Sequence, residues 1–181
     1  MPIPVTTDHP ITCGVFEGFS WIRCEGKGSF LNSPLVKSFG DARVGEGESV
    51  LVIDLAACSG MDSTFMGTLA GMAARLAAVD GGILQVAGAD ERNRRSLEDL
   101  GLDFMMQIDP KEPSWKDDIE NIRSQLKPAQ AVEPMNLSER ARHVLRAHEE
   151  LTDLNEKNAR EFENVVGTLK RQVDKESPPE S

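Results

Sequence analysis

Apolar residues fall into two kinds of pattern along this chain: short dense runs and longer stretches with a helical period. From Ile11 to Cys24 the apolar positions include Val15, Phe19, Trp21, Ile22 and Cys24, interrupted by Ser20 and Arg23. That partial alternation predicts one or two strands, followed by a turn at Glu25-Gly26-Lys27-Gly28. Asn32-Ser33-Pro34 predicts a helix start, because Pro suits the first helical turn and Asn or Ser caps it. Leu35, Val36 and Phe39 would be its buried face, and Gly40 and Gly45–Glu48 its end. Val50–Leu55 is apolar on both faces apart from Asp54, which predicts a central strand covered on both sides. After a turn at Ala57–Gly60, Phe65, Leu69, Met72 and Leu76 form one stripe of a helix over Ser63–Val79. Gly67, Ala70, Gly71 and Ala74 lie beside that stripe, where their small size would let the helix backbone approach the sheet. Asp80-Gly81-Gly82 stops the helix. Ile83–Ala87 predicts the next strand, Asp90 caps a helix over Glu91–Leu100, and Phe104–Ile108 predicts a last short strand. Strands alternating with helices through short connections imply right-handed crossovers and mostly parallel pairing, an α/β fold.

Beyond Asp109-Pro110 the pattern changes. Ile119, Ile122 and Leu126 make Trp115–Leu126 a helical segment able to cover one face of the sheet. The organisation expected is a domain over residues 11–126, a proline-bearing linker over 127–136 and a helical extension over 137–175. In the extension Leu137, Ala141, Val144, His148, Leu151, Asn155, Asn158, Phe162, Val165 and Leu169 follow alternating steps of four and three. That stripe has to be buried on the domain itself, on a second copy of the chain or on a partner. An unbroken rod would reach about 50 Å, longer than the domain is wide, which favours self-association as a homodimer or an interaction arm. Asn155 and Asn158 inside the stripe suit either a helical hairpin or a register-setting seam. The lead-in with three prolines before Ile11 is expected to be irregular, and Ser177-Pro178-Pro179 to be disordered.

Composition removes several function classes. The formal net charge is −10 and no segment is basic, which argues against nucleic acid, since phosphate contacts need clustered Lys and Arg. Three cysteines without a CxxC pair indicate neither a disulfide framework nor a zinc site, and reduced thiols suit a cytoplasmic protein. The N-terminus lacks the charged and apolar regions of a signal peptide, and no apolar run approaches the roughly 20 residues of a membrane span.

Enzyme motifs fail on spacing. Gly26-Lys27 is followed by Gly28 and preceded by no P-loop glycine, and no GxGxxG follows a strand. A phosphatase loop would need an Arg where Thr64 stands, so Cys58 reads as a small apolar residue at a strand end. His143 and His148 do not have the i, i+4 spacing of a helical metal pair and read as helix-surface or seam residues. No acid–base or metal constellation emerges, and no cofactor is implied. What remains is Asp62-Ser63-Thr64 at a helix start. Asp62 as N-cap would accept the N–H of Thr64 or Phe65. Ser63 would then occupy the first helical position with its hydroxyl pointing outward, near the positive end of the helix dipole. A phosphate there would add about −1.5 to −2 charge beside the Asp62 carboxylate, sparing the fold while abolishing a docking contact.

The element order over roughly residues 11–126, together with VLVIDL…CSGMDSTFMGTL, resembles the STAS domain family of bacterial anti-sigma factor antagonists. Asp62, Ser63, Thr64 and Gly67 match the family's Asp-Ser-Ser/Thr…Gly pattern at the helix start. Phe65 stands where the family usually has Gly, and Met66 replaces Leu or Ile. The resemblance implies a STAS-like mixed, mostly parallel sheet of four to five strands packed by helices. The extension adds a long C-terminal helix or helical hairpin. It also implies a non-enzymatic regulator of transcription that binds an anti-sigma factor, itself a serine protein kinase, through Asp62, Ser63, Thr64, Phe65 and Met66. Phosphorylation of Ser63 would end that binding and a serine phosphatase would reset it. Phe65 would alter docking if exposed and leave it largely unchanged if packed under the helix. The alternative is a non-switching STAS scaffold or subunit of a transport or multiprotein complex, docking through the C-terminal helix.

Overall fold

The computed structural model describes residues 9–176; the lead-in up to Asp8 and the closing Ser177-Pro178-Pro179 lie outside them. Ile11–Phe16 (β1) and Phe19–Cys24 (β2) form an antiparallel hairpin. Its turn places Gly18 at φ 87°, a conformation that Gly adopts without steric cost. Val50–Asp54 (β4) pairs parallel to β2 on one side and to Ile83–Ala87 (β6) on the other. Gln107–Ile108 (β7) adds to β6 in parallel, and Lys127–Pro128 (β8) adds to β1 antiparallel. The sheet order is β7-β6-β4-β2-β1-β8. It is wider than the four to five strands expected because β8 extends its edge, in a segment read as linker. Gly26–Gly28 (β3), read as a turn, pairs parallel with Cys58–Met61 (β5) in a separate small ribbon.

One face of the sheet is covered by Ser33–Gly45 (α1), Ser63–Ala77 (α2) and Glu91–Asp99 (α3). Leu51, Ile53, Leu84 and Val86 meet Val36, Leu69, Met72, Leu76 and Leu97 there, all buried. Every residue of the α2 stripe read from the sequence is in this core. The opposite face of β2 and β4, Trp21 and Val52, is covered by Trp115 and by Ile122 of Ile119–Ser124 (α4). The Trp21 and Trp115 rings meet edge to face at 5.2 Å. Asp54, at the carboxyl end of β4, ties this layer down. It accepts hydrogen bonds from Trp21 Nε1 at 3.1 Å, Arg23 Nη1 at 2.9 Å and Arg123 Nε at 2.8 Å. Burial pushes its carboxyl pKa up, but the bonds from Arg123, the Ala56 N–H and Arg23 outweigh burial and hold it below the ordinary value. Of the strand read over Phe104–Ile108 only Gln107–Ile108 forms; Phe104 ends a 3₁₀ turn, Leu102–Phe104, and lies at the surface.

The C-terminal extension is a broken hairpin, not a rod. Leu137–Thr152 (α5) is followed by Glu156–Glu161 (α6) and Glu163–Glu176 (α7). Asn155 caps α6 by accepting the Asn158 N–H at 2.8 Å. The Asn158 amide, fully buried, donates to Leu100 O at 2.9 Å and Leu151 O at 3.0 Å. The two asparagines therefore make the bend and fasten it to the domain. Of the three places the stripe could be buried, α5 takes the domain itself: it lies along α2 of its own chain with Ala141, Ala147, His148 and Leu151 buried. The small residues of α2 explain the approach. A Cβ on Gly67 would stand 2.1 Å from Ala147 O, and one on Gly71 would meet the Glu150 side chain at 3.3 Å. Those glycines admit the backbone of α5, not the sheet that the sequence pattern suggested.

Candidate functional site

The N-terminus of α2 is assembled from three directions. Asp62 is extended at ψ 172° and its Oδ1 accepts the Phe65 N–H at 2.8 Å, the N-cap expected. Its second oxygen accepts the Phe30 N–H at 2.9 Å, and its own N–H donates to Gly28 O at 2.9 Å. One carboxylate thus fixes both the helix start and the turn between β3 and α1. That turn presents Phe30 and Leu31 to solvent, at 39% and 68% exposure. They were missed from sequence because two adjacent apolar residues before a cap carry no period; their neighbourhood to Ser63 exists only through the Asp62 bond.

The other residues expected at the docking face turn inward. Phe65 is 1% exposed and lies against Gly28, where a Cβ would come within 2.8 Å of its ring. The aromatic ring that replaces the family Gly is therefore core, filling the space that Gly28 leaves open. Thr64 and Met66 are also buried. Thr64 O accepts the Thr68 hydroxyl at 2.9 Å. Only Asp62 and Ser63 keep partial exposure.

Ser63, the first residue of α2, does not point freely outward. Its Oγ lies 2.8 Å from His148 Nε2 on α5. His148 Nδ1 is 2.7 Å from Val144 O. A carbonyl only accepts, so Nδ1 carries a proton, and in the neutral imidazole Nε2 accepts from the Ser63 hydroxyl. Phe162 packs edge-on against the imidazole at 5.3 Å. The same helix makes a second contact of this kind: His143 Nε2 is 2.7 Å from Oγ of Ser33, the first residue of α1. The His143 pKa is lowered by burial and by the charges of Lys37 and Arg146, against a smaller pull upward from Asp62. Both histidines are thus seam residues, and neither is on the helix surface. Their serine partners lie 110 and 85 residues away, beyond any local signal except His148's place in the apolar stripe.

The cysteines and the possible metal ligands form no second site among the described residues. Cys58 is buried at the start of β5, and Cys13 and Cys24 are buried free thiols. Among the described residues no group of three or more His, Cys, Asp or Glu is gathered to hold a metal. No helix among them is long and apolar enough to cross a membrane. The arrangement can offer one hydroxyl at a helix N-terminus, beside a carboxylate and two exposed apolar residues, under the side chain of His148 from α5.

Comparison with known proteins adds the family context. The model of the STAS domain matches residues 12–114. Among solved structures, an anti-sigma factor antagonist from Mycobacterium paratuberculosis is 21% identical with a TM-score of 0.51, covering 67% of this chain and 99% of its own. A candidate anti-sigma factor antagonist from Thermotoga maritima is 17% identical with a TM-score of 0.52, covering 62% of this chain and 94% of its own. At these identities the likeness is one of fold. No curated protein sequence gives a significant match.

Proposed function

Because the chain belongs to the STAS domain family, we propose that it acts as an anti-sigma factor antagonist switched at Ser63. In this reading the α2 N-terminus and the Phe30-Leu31 turn dock on an anti-sigma factor that is also a serine protein kinase. The complex frees a sigma factor in the cytoplasm until Ser63 is phosphorylated, and a serine phosphatase restores the hydroxyl. The observation that carries the reading is the setting of Ser63. It is the first residue of a capped helix, partly exposed, with its hydroxyl held by the His148 side chain of α5.

The chemistry follows from that setting. In the transfer the Ser63 oxygen bonds to the γ-phosphorus of ATP, ADP leaves, and the hydroxyl proton is released. The product carries about −1.5 to −2 charge next to Asp62, which repels an acidic docking surface and costs desolvation against an apolar one. The helix itself tolerates the anion because its N-terminus is the positive end of the dipole. The phosphoryl group needs the space that His148 fills, so α5 must lift for transfer.

The test is incubation with a serine-kinase anti-sigma factor encoded nearby and ATP, followed by mass spectrometry. One added phosphate, lost in Ser63→Ala, supports the switch. Ser63→Ala should keep partner binding and Ser63→Asp should weaken it. One observation favours the non-switching scaffold instead, namely that α5 covers the acceptor hydroxyl. Absence of modification in both the full chain and a His148→Ala variant would support that reading and sink the switch.

A further inference from the structure

The packing of α5 is uneven. At Gly67 its backbone touches α2 as closely as a glycine permits. Beside that contact lies a cleft of about 400 Å³, open to solvent, between α1, α2 and α5. Its size is that of small-molecule sites, which often lie between helices.

The lining has two characters. Pro34, Gly67, Gly71, Val132, Met135 and Ala147 make an apolar interior. Around it stand four cations, Lys37, Arg75, Arg142 and Arg146, against three carboxylates, in a chain whose formal charge is −10. Two of the carboxylates have partners. Asp41 is ion-paired with both Lys37 and Arg75, Glu139 accepts from the Asn136 amide, and Glu150 lies over Gly71. The Asp41–Arg75 pair is poorly directed. Nη2 lies 2.5 Å from Asp41 Oδ1, yet that oxygen and Arg75 Nε are both buried without a hydrogen bond. A buried donor without an acceptor is costly and calls for an unseen partner. His143 also lines the cleft; burial chiefly, and then the charges of Lys37 and Arg146, disfavour its charged form.

We propose that the cleft between α1, α2 and α5 binds a small organic anion, an acid group on a compact apolar body, with Arg75 and Arg146 holding the acid group. Such a ligand touches α5 on one side and α1 and α2 on the other. Binding it therefore holds α5 down over Ser63 and makes the cleft an effector site for access to that hydroxyl. Neither the binding nor the clamping of α5 depends on phosphorylation.

The full chain is titrated with anilinonaphthalene sulfonate, an aromatic sulfonate of suitable size, by fluorescence. Saturable one-to-one binding is expected, and octanoate should displace the probe. The double variant R75Q/R146Q should bind roughly tenfold more weakly or worse, since hydrogen bonds to charged groups are lost. R95Q, on exposed α3, should bind as the wild type does. Amide hydrogen exchange across residues 137–152 should slow on saturation. Undiminished binding by the double variant, no displacement by octanoate, or unchanged exchange across α5 would each overturn the proposal. Circular dichroism of the double variant guards against simple misfolding, and octanoate displacement in the wild type stands whatever that variant does.

Discussion

Ser33 and Ser63 occupy equivalent places in two helices, and the difference between them shows how one fold makes a structural residue and a candidate switch from the same parts. Each is the first residue of its helix, and each hydroxyl pairs with a histidine of α5 at 2.7 Å and 2.8 Å respectively. Ser33 is fully buried, and its helix has no side-chain cap. Ser63 is partly exposed, and Asp62 caps its helix with one oxygen while holding the Phe30 turn with the other. Removing the α5 contact at Ser33 leaves an unsatisfied group inside the protein, whereas at Ser63 it leaves a hydroxyl that water can reach. The first contact is therefore an anchor and the second a latch.

The comparison breaks most severely if α5 is forced off both sites at once. Gly67→Ala places a methyl against Ala147 O, a backbone atom that cannot yield without moving the helix. A loss of about 2–3 kcal/mol is expected from denaturant unfolding; a loss below about 0.5 kcal/mol would mean that α5 does not depend on that approach. Next in size is the anchor. Ser33→Ala should cost about 2 kcal/mol, because His143 Nε2 stays buried without a partner. Ser63→Ala should cost less, about 1 kcal/mol, because Ser63 is partly exposed and water can reach the vacated position, although His148 itself is buried; equal costs would erase the distinction.

The pH response sharpens it further. His143 has a folded-state pKa below its ordinary 6.5, so the unfolded chain binds the proton more readily. Stability should then be full above about pH 6.5 and decline as pH falls through that value toward the depressed one. His143→Gln should flatten the decline, and an unchanged slope in chemical denaturation between pH 7 and 5 would rule His143 out as its source. The smallest effect is kinetic. His148→Ala removes a contact of about 1 kcal/mol, which raises the open population about fivefold. Ser63 should be phosphorylated faster by that factor, with no modification at Ser33, as read by peptide mass spectrometry.

Local physics made much of the molecule legible in advance. The i, i+4, i+7 spacing of Phe65, Leu69, Met72 and Leu76 named the buried face of α2, and Asp62 announced its cap. Trp115 and Ile122 were readable as a cover for the sheet. The Phe104 strand was misread because its apolar run has strand composition, yet only Gln107 and Ile108 find pairing partners. The small residues of α2 were read correctly as a site of close approach, but the sequence does not say what approaches. The two asparagines in the C-terminal stripe allowed a hairpin, and the buried amide of Asn158 shows why that form prevails.

By itself the sequence determined what short-range forces govern: the order of strands and helices, the cap at Asp62, the core stripe of α2 and the absence of any enzyme motif at workable spacing. Tertiary structure decided who sits opposite whom. Phe65 went inward because Gly28 leaves it room, and Gly67 became a seat for α5 because no side chain stands in the way. Ser63 came under His148 because α5 folds back on its own domain instead of reaching for another. Those outcomes depend on steric fit and hydrogen-bond pairing between residues far apart in the chain. No periodicity, composition or motif spacing encodes a contact until both partners have been folded into place.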